Sequence, residues 1–142
     1  MKIILNKTFG GFGVSYRGYE LYAKKKGIDL YIYEDSYDFK NPRYTRIDDG
    51  SWKEFSMHYF TKDFGKVAQI SDEDFNEYCL YLNSDCRTDP VLIEVVEELN
   101  KGVNSNFADL RVVEIPDGSY YVIDEYDGYE TLYWSKAEIK EI

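Results

Sequence analysis

Residues Asn6–Ser15 read NKTFGGFGVS, which places Gly10, Gly11 and Gly13 directly behind the apolar run Ile3-Ile4-Leu5. Consecutive amides in a glycine turn that leads into a helix converge on an anion, and the helix terminus adds about half a positive charge. Glycine suits such a loop because it tolerates positive φ and lets a ligand approach the backbone. Lys7 and Arg17 would supply charge, Phe12 a flat stacking surface beside Phe9 and Tyr16, and Ser15 a hydroxyl at the helix start. The candidate ligand-binding set is therefore Lys7, Gly10, Gly11, Phe12, Gly13, Ser15 and Arg17, and its chemistry is retention of a nucleotide-like anion. The competing reading of the same residues is a tight strand-to-helix turn with Phe12 plugging the core.

Two better-known phosphate sites are excluded. Gly11-Phe12-Gly13 gives part of a dinucleotide fingerprint, with Glu34 at about the distance of its ribose-binding acid, but Tyr16 stands where close packing requires a third glycine. No Lys-Ser or Lys-Thr pair follows the glycines, so the loop is not a Walker motif. Elsewhere, Glu125–Glu130, EYDGYE, gathers three more carboxylates and two tyrosines around a turn. Calcium coordination or mimicry of a phosphate run is conceivable there, yet the spacing lacks an EF-hand's ligand pattern, and a solvated hairpin turn is the expectation. Asp48 and Asp49 read the same way. Cys79 and Cys86 match no common zinc spacing and are expected as unpaired thiols. His58, the single histidine, lies in the alternating stretch FSMHYF as a strand residue, so a histidine triad or metal site has no second member. No cofactor or metal is expected, and an enzyme is less favoured than a binding protein.

The elements that must position these residues follow from periodicity. Lys2–Asn6 reads as a short buried strand, and Ser15 as the N-cap of a helix reaching Lys26 and stopping at Gly27, with Tyr19, Tyr22, Ala23 and Lys26 on one face. Asp29–Glu34 alternates as a second strand. Tyr44–Ile47 and Lys53–Tyr59 read as two strands joined by the turn Asp48–Ser51. Ser71 caps a helix expected to reach Leu82, with Phe75, Tyr78, Cys79 and Leu82 on one face. DPVLIEVVEELNKG carries Asp89 as N-cap, Pro90 at the first helical position and Gly102 past the end, with Val91, Leu92, Val95, Val96 and Leu99 as its apolar stripe. Leu110–Ile115 is a strand ended by Pro116-Asp117-Gly118; Tyr120–Asp124 and Glu130–Tyr133 form a hairpin, and Ser135–Ile142 a short helix or tail. This order lacks the regular alternation of a doubly wound sheet. The expected fold is one α+β domain over residues 1–142, mainly antiparallel sheet with about three helices and a strand, glycine loop and helix at the front.

The 142 residues include 17 Lys and Arg against 27 Asp and Glu, a formal charge of −10, with 15 Tyr and 8 Phe. That aromatic content belongs to a folded chain, and that field repels phosphate backbones, so nucleic-acid polymers and anionic membranes are not expected partners. The start MKIILNK is too short in apolar residues for a signal peptide, and no run reaches a membrane span; a cytoplasmic location is expected.

MKIILNKTFGGFGVS, DPVLIEVVEELN and LRVVEIPD with IDEYDGYE resemble a family of small, mostly uncharacterised proteins encoded by tailed bacteriophages and prophages. The resemblance spans most of the chain outside residues 35–67. The first helical turn departs from it, with Tyr16-Arg17-Gly18 where the family is more acidic, and the chain runs further past the final hairpin. The family has no established activity; the resemblance implies a bacterial host cytoplasm, and a small acidic phage protein without evident catalytic residues is expected to bind, as a counter-defence protein, ahead of acting as a small nucleotide-processing enzyme. Under it, the glycine loop suggests a sponge for a nucleotide immune signal, held by a homo-oligomer. The charge suggests instead an acidic inhibitor of a host defence protein, acting as a DNA mimic or through another protein contact.

Overall fold

The computed structural model describes residues 1–50 and 57–137. Along the chain these form β1 (Lys2–Asn6), α1 (Tyr16–Lys26), β2 (Tyr31–Asp35), β3 (Tyr44–Arg46), β4 (Met57–Phe60), β5 (Val67–Ala68), α2 (Asp72–Tyr78), β6 (Cys79–Leu80), α3 (Pro90–Leu99), β7 (Leu110–Glu114), β8 (Tyr120–Tyr126) and β9 (Tyr129–Ser135). The fold is α+β with antiparallel strand pairing throughout, and its first strand passes through the glycine loop into a helix, as the sequence leads one to expect. Two compact units divide it: Met1–Tyr22 with Leu82–Ile142, and Ala23–Tyr81.

In the unit Ala23–Tyr81 the sheet order is β5-β3-β2-β4-β6. β3 and β4 are not a hairpin, contrary to the sequence reading. Each pairs with β2, Glu34 lying opposite Thr45 on one side and Met57 on the other. Ile32 and Tyr33 are buried, so β2 gains from having a neighbour on both edges. The predicted Lys53–Ser56 portion of that strand lies outside the described residues. Tyr33 and Phe60 are fully buried and pack edge-to-face at 5.5 Å, with Phe64 and Phe75 against Phe60. The Tyr33 hydroxyl donates to the Gly65 carbonyl and accepts from the Phe64 N–H, which makes a buried tyrosine polar at no cost in unpaired groups. α2 starts where expected, with Ser71 Oγ accepting from the Asp74 N–H, but ends at Tyr78. Cys79 and Leu80 leave the helix to pair with Phe60 and Tyr59, so neither they nor Leu82 share its face.

In the other unit β1 pairs with β7 from Lys2–Glu114 to Asn6–Leu110. Ile3, Ile4 and Leu5 are all buried because both faces of this pair are covered. The odd residues Ile3, Leu5, Val113 and Ile115 meet Tyr121, Ile123 and Leu132 of the hairpin β8–β9. The even side faces α3, whose Glu97 is bridged by Lys2 at 2.9 Å. Asp89 caps α3 through the Val91 N–H (2.8 Å), and the buried helix residues are Leu92, Ile93, Val95 and Val96. Ile93 thus joins the expected stripe, while Val91 and Leu99 are only half-buried. Each fully buried side chain of this kind contributes about 1.5–3 kcal/mol. Gly102 does not end the helix: Asn100 takes the positive φ of 51°, and Gly102 falls inside the following 3-10 turn, Asn100–Val103.

Candidate functional site

β1 delivers the chain into the glycine loop, and β8–β9 delivers EYDGYE to meet it. The hairpin strands run further into that motif than the sequence suggests, leaving a two-residue turn, Asp127-Gly128, with φ of 49° and 89°. Positive φ at both positions is the type I′ geometry that Asp-Gly favours. The Gly10 N–H donates to the Asp127 carbonyl (3.1 Å), which joins loop to turn. A Cβ on Gly128 would stand 2.7 Å from the Gly10 nitrogen, and a Cβ on Gly10 would stand 2.5 Å from the Phe107 carbonyl oxygen. The glycines therefore let three stretches of backbone touch.

Beneath this contact lies a polar network that sequence reading missed. Glu130 is buried (side chain 7% exposed), and Arg87 Nη2 donates to its Oε2 at 2.7 Å while Nη1 reaches Oε1 at 3.1 Å. Glu130 Oε1 also accepts from the Asn6 N–H (2.8 Å), and Arg87 Nη1 donates to the Ile4 carbonyl as the Ile4 N–H donates to the Arg87 carbonyl. At Ile4 and Asn6, then, the edge of β1 away from β7 is satisfied by the Arg87–Glu130 pair together with the Arg87 carbonyl, in place of a third strand. Fully buried Asn6 completes the network, its amide donating to the Thr8 and Gly128 carbonyls and its oxygen accepting from the Asp109 N–H. One signal was available: in the alternation of β9, Glu130 shares the parity of inward-facing Leu132. The expectation of a solvated turn holds for Asp127 but not for Glu130.

The seven predicted residues find the following places. Lys7 Nζ donates to the Glu130 carbonyl (2.6 Å) and lies 4.3 Å from the Tyr129 ring centre. Gly10 is bound to the hairpin as described. Gly11 has open space where a Cβ would sit, and the Gly13 carbonyl accepts from the Ser105 N–H (3.3 Å). Phe12 is half-buried, its ring 5.7 Å from the Arg87 guanidinium carbon. Ser15 caps α1, its Oγ accepting from the Gly18 N–H (3.3 Å) and donating to the Gly102 carbonyl (2.7 Å). Arg17 is exposed on α1. Lys7, Gly10 and Ser15 thus direct their donors into the fold.

What the junction presents outward is aromatic and acidic. Phe9, 61% exposed, packs against Tyr126 (6.4 Å, edge-on) and Tyr129 (5.6 Å), and Tyr126 is 77% exposed. Cross-strand pairing continues this outer face along the hairpin through Val122–Tyr133 and Tyr120–Ser135, and its three large side chains there, Tyr120, Val122 and Tyr133, are exposed. Asp124, on the same face, and Asp127, in the turn, flank it, and no Lys or Arg occurs from Tyr120 to Ser135. Flat rings with carboxylates beside them suit cationic side chains.

The Cys79 thiol and the Tyr16 and Tyr22 hydroxyls are shifted toward their protonated forms. Burial pushes the Cys79 thiol up, only partly offset by a backbone hydrogen bond at Tyr59. Burial and then the Glu20 carboxylate push Tyr16 up to about 12, and burial with the Asp89 hydrogen bond raises Tyr22 as well. Both cysteines are free thiols, as expected. Among the described residues no group of three or more His, Cys, Asp or Glu side chains converges as a metal site, and no helix is long and apolar enough to cross a membrane. No protein-family model matches the chain, and no curated protein or solved structure matches it either.

Proposed function

We propose that this is a non-catalytic binding protein that docks a cationic surface of another protein through the outer face of β8–β9 and Phe9. The carrying observation is that outer face: Phe9, Tyr126, Tyr129, Val122 and Tyr133 with two flanking carboxylates, Asp124 and Asp127, and no basic residue in the hairpin. Exposed aromatics on a rigid, internally bonded support are the residues that anchor protein interfaces. Set beside the phage-family resemblance, the partner is a host protein with a basic patch, and the role is that of an acidic inhibitor. A nucleotide-like anion is the less favoured ligand, because three of the seven residues proposed to hold it are spent on intramolecular hydrogen bonds.

The experiment is capture from bacterial lysate at low salt, comparing the natural chain with a Phe9→Ser/Tyr126→Ser variant of unchanged melting temperature. A basic protein retained by the first and lost from the second is expected, with release as salt approaches about 0.5 M. Equal retention by both overturns the docking face. A panel of cyclic and linear nucleotides, added to the purified protein, is expected to leave its melting temperature unchanged; a rise abolished by Arg17→Glu would restore the small-ligand reading.

A further inference from the structure

Among the described residues β7 is paired on one edge only. The mutual backbone bonds of Met1 with Ile115, and the Lys7 N–H to the Asp109 carbonyl, set the phase of the β1–β7 ladder. Odd residues of β7 turn their N–H and C=O toward β1, and alternation turns those of Leu110, Val112 and Glu114 away. The Leu110 N–H is satisfied by Asn104 Oδ1 (2.7 Å), whereas the N–H and C=O of Val112 and Glu114 have no protein partner among the described residues. Buried sheets do not leave such an edge open, and exposed ones are templates for another strand.

A groove of about 840 Å³ follows this edge, with α3 as one wall. Its middle is apolar, formed by Val96, Leu110 and Val112, and its ends differ in charge. Lys101 stands toward the Leu110 end, in the 3-10 turn that leads to Asn104. Glu97 and Glu114 stand at the other end, against the single charge of Lys2. Arg111 is already bridged to Asp109 at 2.8 Å.

We infer that the outer edge of β7 accepts an extended peptide as an added antiparallel strand. The residue opposite Glu114 is basic, the one opposite Val112 small and apolar, and the one opposite Leu110 acidic, reaching Lys101. Residues directly opposite one another share a face, so these three enter the groove on the α3 side while the intervening ones point away. Main-chain hydrogen bonds at Val112 and Glu114 supply affinity, and the dipolar groove fixes direction. A second copy fits less well. A two-fold axis at Val112 would set another α3 on the same side of the sheet and join two chains of charge −10. This site is separate from the hairpin face and stands or falls independently of it.

The test uses the full chain and two peptides of one composition, acetyl-TKTVTET-amide and its charge-reversed form acetyl-TETVTKT-amide. The first is expected to slow hydrogen exchange at the Val112 and Glu114 amides and to bind at least about tenfold tighter than the second. The double variant Lys101→Glu/Glu114→Lys, both positions lying at the surface, is expected to reverse that preference. Unchanged exchange with the first peptide at about 1 mM, or equal affinity for both, overturns the proposal. So does protection of these amides that rises with protein concentration in the absence of peptide, which would assign the edge to a second copy.

Discussion

Removing the Glu130 carboxylate leaves the Arg87 guanidinium, 15% exposed, without its counter-ion, and leaves the Asn6 N–H without its acceptor. Breaking a buried pair from one side costs about 3–5 kcal/mol, so Glu130→Ala is expected to lose that much in urea unfolding. Replacing both partners, as Arg87→Met/Glu130→Leu, is expected to cost less than the single change, because no buried charge is stranded. A double loss as large as the summed single losses would show that the pair does not act as a unit. Arg87 does not stand out in the sequence, where it sits in SDCRTDP between polar neighbours, and strand alternation alone hints that its distant partner Glu130 turns inward. The sequence shows that a charge is present, but only the fold shows that it is buried. Asp63 behaves differently. The Gly65 N–H and then Arg46 hold its carboxyl below the usual 3.8, so the ionised form favours the folded state. That support is complete above pH 3.8 and lost as pH falls through the depressed value. Asp63→Asn is expected to flatten the acid limb of a stability profile in that window and to leave its slope near neutrality unchanged.

At the scale of elements the glycine loop shows how far local sequence reaches. The cluster Gly10, Gly11, Gly13 is visible as a place where backbone comes close to something, and a strand before it with Ser15 capping a helix after it are both as read. What approaches is another turn of the same chain, Asp127-Gly128, and no local pattern encodes a contact between residues so far apart. The same limit explains α2, whose capping signal was legible but whose end is set by β4 drawing Cys79 and Leu80 into a sheet. Caps and turns are written in neighbouring residues; strand partners are not. Gly128→Ala tests the junction. The new Cβ would have to share space with the Gly10 and Gly11 nitrogens at a φ of 89°, for an expected loss on the order of 2–4 kcal/mol. Gly118→Ala, in the turn before β8 at a comparable φ of 77° but with open space around it, is expected to lose only about 1 kcal/mol. Equal losses would mean that positive φ alone, and not the close approach, selects glycine at position 128.

At the scale of the whole molecule, the proposed docking gives the charge of −10 and the aromatic hairpin face different stages of one encounter. A net field draws a basic partner from beyond contact distance and is weakened by salt, whereas ring and carboxylate contacts hold the partner once docked. Two variants of equal charge change separate the stages. Asp124→Asn/Asp127→Asn removes two carboxylates beside Tyr126, and Glu94→Gln/Glu98→Gln removes two from the exposed side of α3. Against a basic partner captured through the hairpin, both pairs are expected to slow association by a similar factor of about two to three at low salt, since steering responds to total charge. Only the hairpin pair is expected to speed dissociation, by about tenfold, equivalent to roughly 1.4 kcal/mol of docked contact. Stopped-flow association at low and high salt, with dissociation by competitor chase, measures both rates. If the α3 pair speeds dissociation as much as the hairpin pair does, the cationic surface docks on α3 and not on the face that carries Phe9 and Tyr126.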